Sequence, residues 1–238
     1  NDSWAPMNVP PSYGILPMII GSVMITFLSC VAAVPISIMV ACYLAFDCPN
    51  KIYRILKPAL NLMTGIPSIV YGFFALTIIV PINRSIFGGT GMNMLSAAIL
   101  LLIMILPTII SMAESSLRTV PKSFYQGSLS LGATHDETIT RVMVPAAKSG
   151  IFAGIILGVG RAIGETMAVI LVAGNQTRLT FNPLKGVRTM TTNIVMEMAY
   201  AAGEHRQALI ATAAVLFIFI LIINLGFFIL KNRSENNG

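Results

Sequence analysis

The sequence predicts an all-α integral membrane protein, and three observations carry that prediction. Only 10% of residues are charged, 55% are hydrophobic and the mean hydropathy is +0.82, values typical of membrane-embedded rather than soluble chains. No Asp, Glu, Lys or Arg occurs in 3–46, 58–83, 85–113 or 207–230, and a spanning helix needs roughly 20 predominantly apolar residues. A further segment, 149–174, holds only Arg161 and Glu165 as charges. Uncharged runs this long suit helices rather than barrel strands, because a helix satisfies its own backbone polar groups in lipid.

Taken in order, these runs give five expected spans in a single transmembrane domain over 1–238, at about 16–46, 59–81, 94–113, 149–173 and 208–230. Pro35, Pro67 and Pro107 fall inside spans, where neighbouring helices can re-satisfy freed carbonyls. Lys and Arg set the orientation. Lys51, Arg54, Lys57, Arg118, Lys122, Arg141, Lys148, Lys231 and Arg233 fall on one side, and Arg84, Arg178, Lys185, Arg188 and Arg206 on the other. The richer side is expected to be cytoplasmic, with the C-terminal tail there and the first fourteen residues outside. An exterior start with no signal peptide predicts a further N-terminal helix, and so six spans, in the parent protein. The net charge of +6 follows this topology and forms no nucleic-acid patch.

Between spans, the segment 82–93 with Gly88, Gly89 and Gly91 reads as a flexible turn. The segment 175–206 holds a short helical run, Asn193 to Ala202, with Ile194, Met198 and Ala201 on one face. The loop 114–148 is too polar to span and too long for a turn. Pro121 precedes a helical stretch, Lys122 to Leu131, that breaks at Gly132. A second stretch starts near Asp136, read as its N-cap, and runs to Pro145. Helix, glycine break, helix is the shape of an element lying on the membrane surface and docking into a partner.

Several chemistries are disfavoured. No Walker A sequence is present, so the chain is not itself a P-loop ATPase. No histidine or acidic pair lies within an expected span, which argues against an intramembrane hydrolase. His135 and His205 fall on opposite sides and make no metal site, and Cys30, Cys42 and Cys48 are not placed for a disulfide. What stands out is Arg161 with Glu165. A charge at bilayer depth costs at least ~2.5–3.5 kcal/mol on insertion scales and marks a functional path by default. Spacing i, i+4 places the two on one helix face, able to neutralise each other. Thr166, Ser68 and Tyr71 add neutral hydrogen-bonding groups to the same path. A structural ion pair is the competing reading.

A family resemblance sharpens this. Permeases of ATP-binding-cassette importers carry a cytoplasmic signature Glu-Ala-Ala, three residues, Gly, nine residues, Ile-x-Leu-Pro. The chain has Gln126-Gly127-Ser128, three residues, Gly132, nine residues, Val142-Met143-Val144-Pro145, with matching spacing and altered residue types. Gly160-Arg161-Ala162-Ile163-Gly164-Glu165-Thr166-Met167-Ala168-Val169 closely resembles the membrane signature of the phosphate-specific permease, and its Met-Ala-Val ending resembles the PstC-type partner. Gly65-Ile66-Pro67-Ser68-Ile69-Val70-Tyr71-Gly72 resembles the same family's second stretch, and Leu131-Gly132-Ala133-Thr134 its coupling loop. Asn61 stands where the family often has a membrane Glu.

The resemblance implies a MetI-like transmembrane domain in a bacterial or archaeal cytoplasmic membrane. It implies no catalysis and no cofactor in this chain, with ATP and Mg on a separate ATPase. Its implied partners are a second similar permease, two copies of the cytoplasmic ATP-binding subunit, an extracytoplasmic phosphate-binding protein and membrane lipid. Gln126, Gly127, Ser128, Gly132, Ala133, Thr134 and Pro145 would couple to the ATPase. The alternative is a self-sufficient anion channel or secondary transporter, which would have nothing to dock at 114–148.

Overall fold

The computed structural model describes residues 3–236, with the side chains of 227 and 230–236 outside the described set, so the tail cations Lys231 and Arg233 lie outside it too. A two-stranded hairpin, β1 (Trp4–Ala5) and β2 (Ser12–Tyr13), opens the chain. α1 (Leu16–Cys42) runs on through a π-type turn, Tyr43–Asp47, and absorbs Pro35 without breaking. Then come α2 (Asn50–Gly65), α3 (Ser68–Phe74), a second π-type turn at Ala75–Ile79, and α4 (Val80–Phe87). α5 (Met94–Thr119) is the central helix, capped by the Asn93 side chain, which accepts from the Ser96 N–H. Four helical segments, Leu16–Asp47, Ser68–Phe87, Met94–Thr119 and Gly203–Gly226, are long and apolar enough to cross a membrane. A fifth arises if His135–Ala146 and Lys148–Gly164, bent by 72°, form one span.

Two expected spans are not continuous helices. The run 59–81 is interrupted at Ile66 and Pro67, both extended, with ψ of 129° and 137°. The cause is local, since proline's ring pushes the preceding residue out of the helical region and proline brings no N–H. The run 149–173 is interrupted as well. α9 (Lys148–Gly164) stops before Glu165, whose ψ is 131°, and the short α10 (Val169–Val172) follows. A third difference has the opposite sign, because α5 continues to Thr119, past the expected end at 113. Its two charges there, Glu114 and Arg118, pair with each other and, for Glu114, with Lys57.

Between α5 and α9 lie α6 (Lys122–Ser130), α7 (His135–Thr138), a third π-type turn at Ile139–Met143, and α8 (Val144–Ala146). α11 (Met190–Glu197) begins three residues before the run predicted from 193, and α12 (Gly203–Asn236) closes the chain. The turn expected over 82–93 is shorter than predicted, because 82–87 continue as α4 and only the Gly-rich part from Gly88 turns, with positive φ at Gly88, Gly89 and Gly91. Only Gly91 is also sterically obliged to be glycine, since a Cβ there would strike the Val80 carbonyl.

α5 is the hub, buried along Leu100, Leu101, Met104, Ile105, Ile109 and Leu117 and flanked by α1 and α9. α9 approaches it along a seam of glycines one turn apart. A Cβ on Gly150 would strike Ser116, one on Gly154 would lie 2.8 Å from Met112 Cβ, and one on Gly158 would lie 2.8 Å from Ile109 Cδ1. Small residues at four-residue spacing let helix backbones come close, which matters where lipid offers no hydrophobic drive between helices. Gly154→Leu is expected to destabilise the protein by about 1–3 kcal/mol through overpacking. Gly226→Leu on α12, where a Cβ meets nothing within 4 Å, is the control. Thermal unfolding in detergent checks the pair, and equal shifts for both would refute the seam.

Candidate functional site

The two helix interruptions pack against each other. A Cβ on Gly72 of α3 would lie 3.0 Å from Ala168 Cα and 2.8 Å from Leu171 Cδ1, so only glycine permits this approach. The stretches 65–72 and 160–169 are thereby brought together. Each break is re-satisfied from nearby. The Tyr71 hydroxyl donates to the Met63 carbonyl at 2.8 Å, bridging the Pro67 break. Across the other break, Glu165 Oε1 accepts from the backbone N–H of Thr166 and of Ala168, both at 3.1 Å. The Glu165 carbonyl accepts from Thr191 Oγ1 of α11 at 3.1 Å, and Thr166 Oγ1 donates to the Gly164 carbonyl at 3.3 Å.

The expected Arg161–Glu165 pair is therefore absent. With α9 ending at Gly164, four residues no longer mean one helical turn, and the Glu165 carboxylate caps the next segment instead. Arg161 is half-buried in the last turn of α9, and its Nη1 donates to Thr108 Oγ1 of α5 at 3.3 Å. Among the described residues it has no carboxylate within 4 Å. Its one side-chain hydrogen bond among the described residues is therefore to a neutral hydroxyl. Ser68 starts α3, half-buried, next to the Pro67 break. Tyr71 and Thr166 already spend their hydroxyl hydrogens on backbone carbonyls, which leaves their oxygens as acceptors. Thr108 was not anticipated. Its only sequence signal is a hydroxyl following Pro107 in an otherwise apolar run.

The segment 120–147 has the predicted helix–glycine–helix form. Leu131 and Gly132 close α6 through bonds to the Gly127 and Leu129 carbonyls at 3.2 and 3.0 Å, and Gly132 has φ +89°. Nothing lies within 4 Å of a Cβ there, so the demand for glycine is conformational rather than one of space. The N-cap of the second stretch is Thr134 rather than Asp136. Thr134 and Glu137 form a reciprocal capping box, and the Thr134 backbone N–H and hydroxyl hold the Glu137 carboxyl below its usual range. Ser128 Oγ lies 2.9 Å from Thr138 Oγ1, tying α6 to α7. Gln126, Gly127 and Pro145 are exposed and Ala133 is partly buried. Around them Phe124, Leu129 and Leu131 are exposed, Leu131 to 91%. An apolar face like this on a polar element marks an interaction surface. His135 bridges the segment to the end of α1, with Nε2 2.7 Å from Asp47 Oδ1 and Nδ1 2.6 Å from the Tyr125 hydroxyl.

At the other end of the molecule, sequence reading missed a second charged cluster. Glu197, buried on α11, accepts from Trp4 Nε1 at 2.8 Å and pairs with Arg188; its Oε2 lies 2.8 Å from His205 Nε2. Arg188 also donates to Asn193 Oδ1 at 3.0 Å and to the Asn175 carbonyl at 3.1 Å. These bonds fasten the N-terminal hairpin, the segment 175–190 and α12 around one carboxylate.

Comparison with known proteins now adds its own evidence. Residues 33–236 match the family model described as binding-protein-dependent transport system inner membrane component. The chain is 40% identical over 228 residues to a probable ABC transporter permease protein, YqgH, of Bacillus subtilis, covering 93% of this chain and 74% of that protein. It is 32% identical over 244 residues to the phosphate transport system permease protein PstC of Mesorhizobium japonicum, covering 94% and 74%. Among solved structures, it resembles a chain of the inward-facing MetNI methionine ABC transporter with TM-score 0.68 at 18% identity, covering 93% and 94% of the two chains. It resembles a chain of a bacterial alginate-importing ABC transporter with TM-score 0.72 at 13% identity, covering 94% and 81%. At such identities the structural likeness speaks to the fold alone.

The Glu197 cluster offers an optical test. Trp4 is the sole tryptophan and is 4% exposed. Glu197→Ala strands Arg188 without its carboxylate, a loss that costs about 3–5 kcal/mol for a buried pair. Red-shifted Trp4 emission and a lowered unfolding temperature are expected. An unchanged emission maximum would show that the hairpin is held by something else.

Proposed function

Because the chain belongs to the family of binding-protein-dependent transport system inner membrane components and is a permease subunit of an ABC transporter, we propose that its cargo is inorganic phosphate and that it forms half of the import pathway. The observation that carries this reading is Arg161, a guanidinium held among the described residues by a neutral hydroxyl, beside two interrupted helices. Phosphate at neutral pH carries one to two negative charges and faces a large desolvation cost in an apolar path. An arginine fork matches its oxygens bidentately and stays charged throughout. Glu165 contributes by fixing the break on which Arg161 depends, rather than by holding the guanidinium between substrates. Ser68, at the start of α3, is a neutral donor for the same path. Similarity to proteins described as PstC phosphate permeases supports the choice of anion.

In this reading the chain performs no covalent chemistry. A second similar permease supplies the other half of the path, an extracytoplasmic phosphate-binding protein delivers the cargo, and two cytoplasmic ATP-binding subunits drive it. In the same reading the segment 120–147 is the docking surface for the ATPase, a role supported by the exposure of Phe124, Leu129 and Leu131, and the segment and the C-terminal tail lie on the cytoplasmic side.

Two measurements test the proposal. Arg161→Gln removes charge-assisted hydrogen bonds worth ~1.5–3 kcal/mol, so phosphate uptake by the reconstituted complex should fall roughly 10- to 100-fold. Uptake close to wild type would return Arg161 to a packing role. Gly132→Trp forces a bulky residue to φ +89° on the docking surface, so ATPase co-purification or nucleotide-driven uptake should be lost. Normal values for both would mean the segment docks nothing.

A further inference from the structure

Glu114 is 2% exposed, yet the pathway proposed above makes no use of it. It stands on α5. Its Oε1 accepts from the Tyr53 hydroxyl at 2.9 Å and from Arg118 Nε, while Oε2 accepts from Lys57 Nζ at 2.7 Å. Arg118 extends the cluster, donating through Nη2 to the Leu44 carbonyl at 2.6 Å and lying 4.4 Å over the Tyr53 ring. One carboxylate thereby joins α2, α5 and the end of α1.

The rest of the grip on α2 is slight. Among the described residues it contributes no fully buried side chain. Its far end is tied by the bond from Tyr71 to the Met63 carbonyl. Beside that end lies an apolar cleft of about 260 Å³, lined by Met63, Ile66, Val70, Tyr71, Phe74 and Ile103. A helix on two polar tethers with a cleft at one end can pivot as a rigid piece. Its last residue, Gly65, runs directly into the Ile66–Pro67 break that starts the Ser68–Tyr71 stretch.

We propose that Glu114 is a positioning residue of transport, an inference that rests on the pathway reading above. Its carboxylate latches α2 against α5 and α1, and opening the latch lets α2 turn and alter access to Ser68–Tyr71. The charge count makes release feasible. The Lys57 side chain is 25% exposed and can exchange Glu114 for water, which leaves α2 only the neutral Tyr53 hydroxyl bond to the carboxylate and its ring contact with Arg118, while Arg118 continues to neutralise Glu114.

The test uses the reconstituted full complex with spin labels at Ile55 of α2 and Ile86 of α4, both exposed. α4 is a sound reference, because Asn83 donates to Ser96 Oγ of α5 at 2.9 Å. In wild type, nucleotide should redistribute the label distances. In Lys57→Gln and Glu114→Gln the released population should appear without nucleotide, and phosphate moved per ATP hydrolysed should drop about tenfold, with Glu114→Asp restoring most of it. Wild-type distances and wild-type stoichiometry in Lys57→Gln would overturn the latch and leave Glu114 a fold anchor. Should Glu114→Gln fail to assemble, Lys57→Gln decides the matter. A wild-type complex that moves no phosphate would defeat the phosphate reading, and the label distances would then decide the latch on their own.

Discussion

A helix interrupted within a membrane protein strands backbone donors and acceptors, and each one left unsatisfied in an apolar setting costs several kcal/mol. The way this chain meets that cost organises its centre. At the first break the Tyr71 hydroxyl reaches back to the Met63 carbonyl; at the second the Glu165 carboxylate takes two N–H groups, and Thr191 covers the Glu165 carbonyl. The two breaks then press together where Gly72 meets Ala168. With its nearest carboxylate in the sequence turned to backbone, the side-chain partner of Arg161 among the described residues is Thr108.

Prolines show why helix content was legible in the sequence and continuity was not. Charge-free runs identified where helices lie, since composition and length alone suffice for that. Pro35 and Pro107 nevertheless stay inside unbroken helices, whereas Pro67 ends one. The residue type is the same in all three. What differs is the neighbourhood. At Pro67 a tyrosine four residues on captures a freed carbonyl, and a glycine five residues on lets a second broken segment come close. Such partners are tertiary facts, and the expected spans 59–81 and 149–173 ran straight through Gly-Ile-Pro-Ser and Gly-Glu-Thr.

Charge reading failed for a related reason. The i, i+4 argument for Arg161 and Glu165 presumed an unbroken helix between them, and it lapsed with that presumption. Glu114 was assigned to a loop because the charge-free run ends just before it, although Arg118 stands at i+4 as a partner. Its other compensators, Tyr53 and Lys57, lie about sixty positions earlier on another helix and could not be seen from the local pattern. Glu197 was overlooked likewise, because Trp4 and Arg188 reach it from different segments. Counting Lys and Arg by loop captures the bias that sets topology. It does not capture which cations are spent on particular carboxylates.

The division between fold and cargo follows from the same geometry. Chains that handle methionine or alginate share this architecture at 13–18% identity, so the helix arrangement cannot itself select an anion. Selection has to reside in the few side chains that the interrupted helices expose to one another. In this chain those are a guanidinium, a serine hydroxyl and two hydroxyl oxygens whose hydrogens are already committed. Such a set offers positive charge and hydrogen-bonding groups, beside a Glu165 carboxylate whose Oε1 is held by two backbone N–H groups. The shared scaffold sets the helix arrangement, and under the phosphate reading the breaks at Pro67 and Glu165 set the groups that meet the cargo.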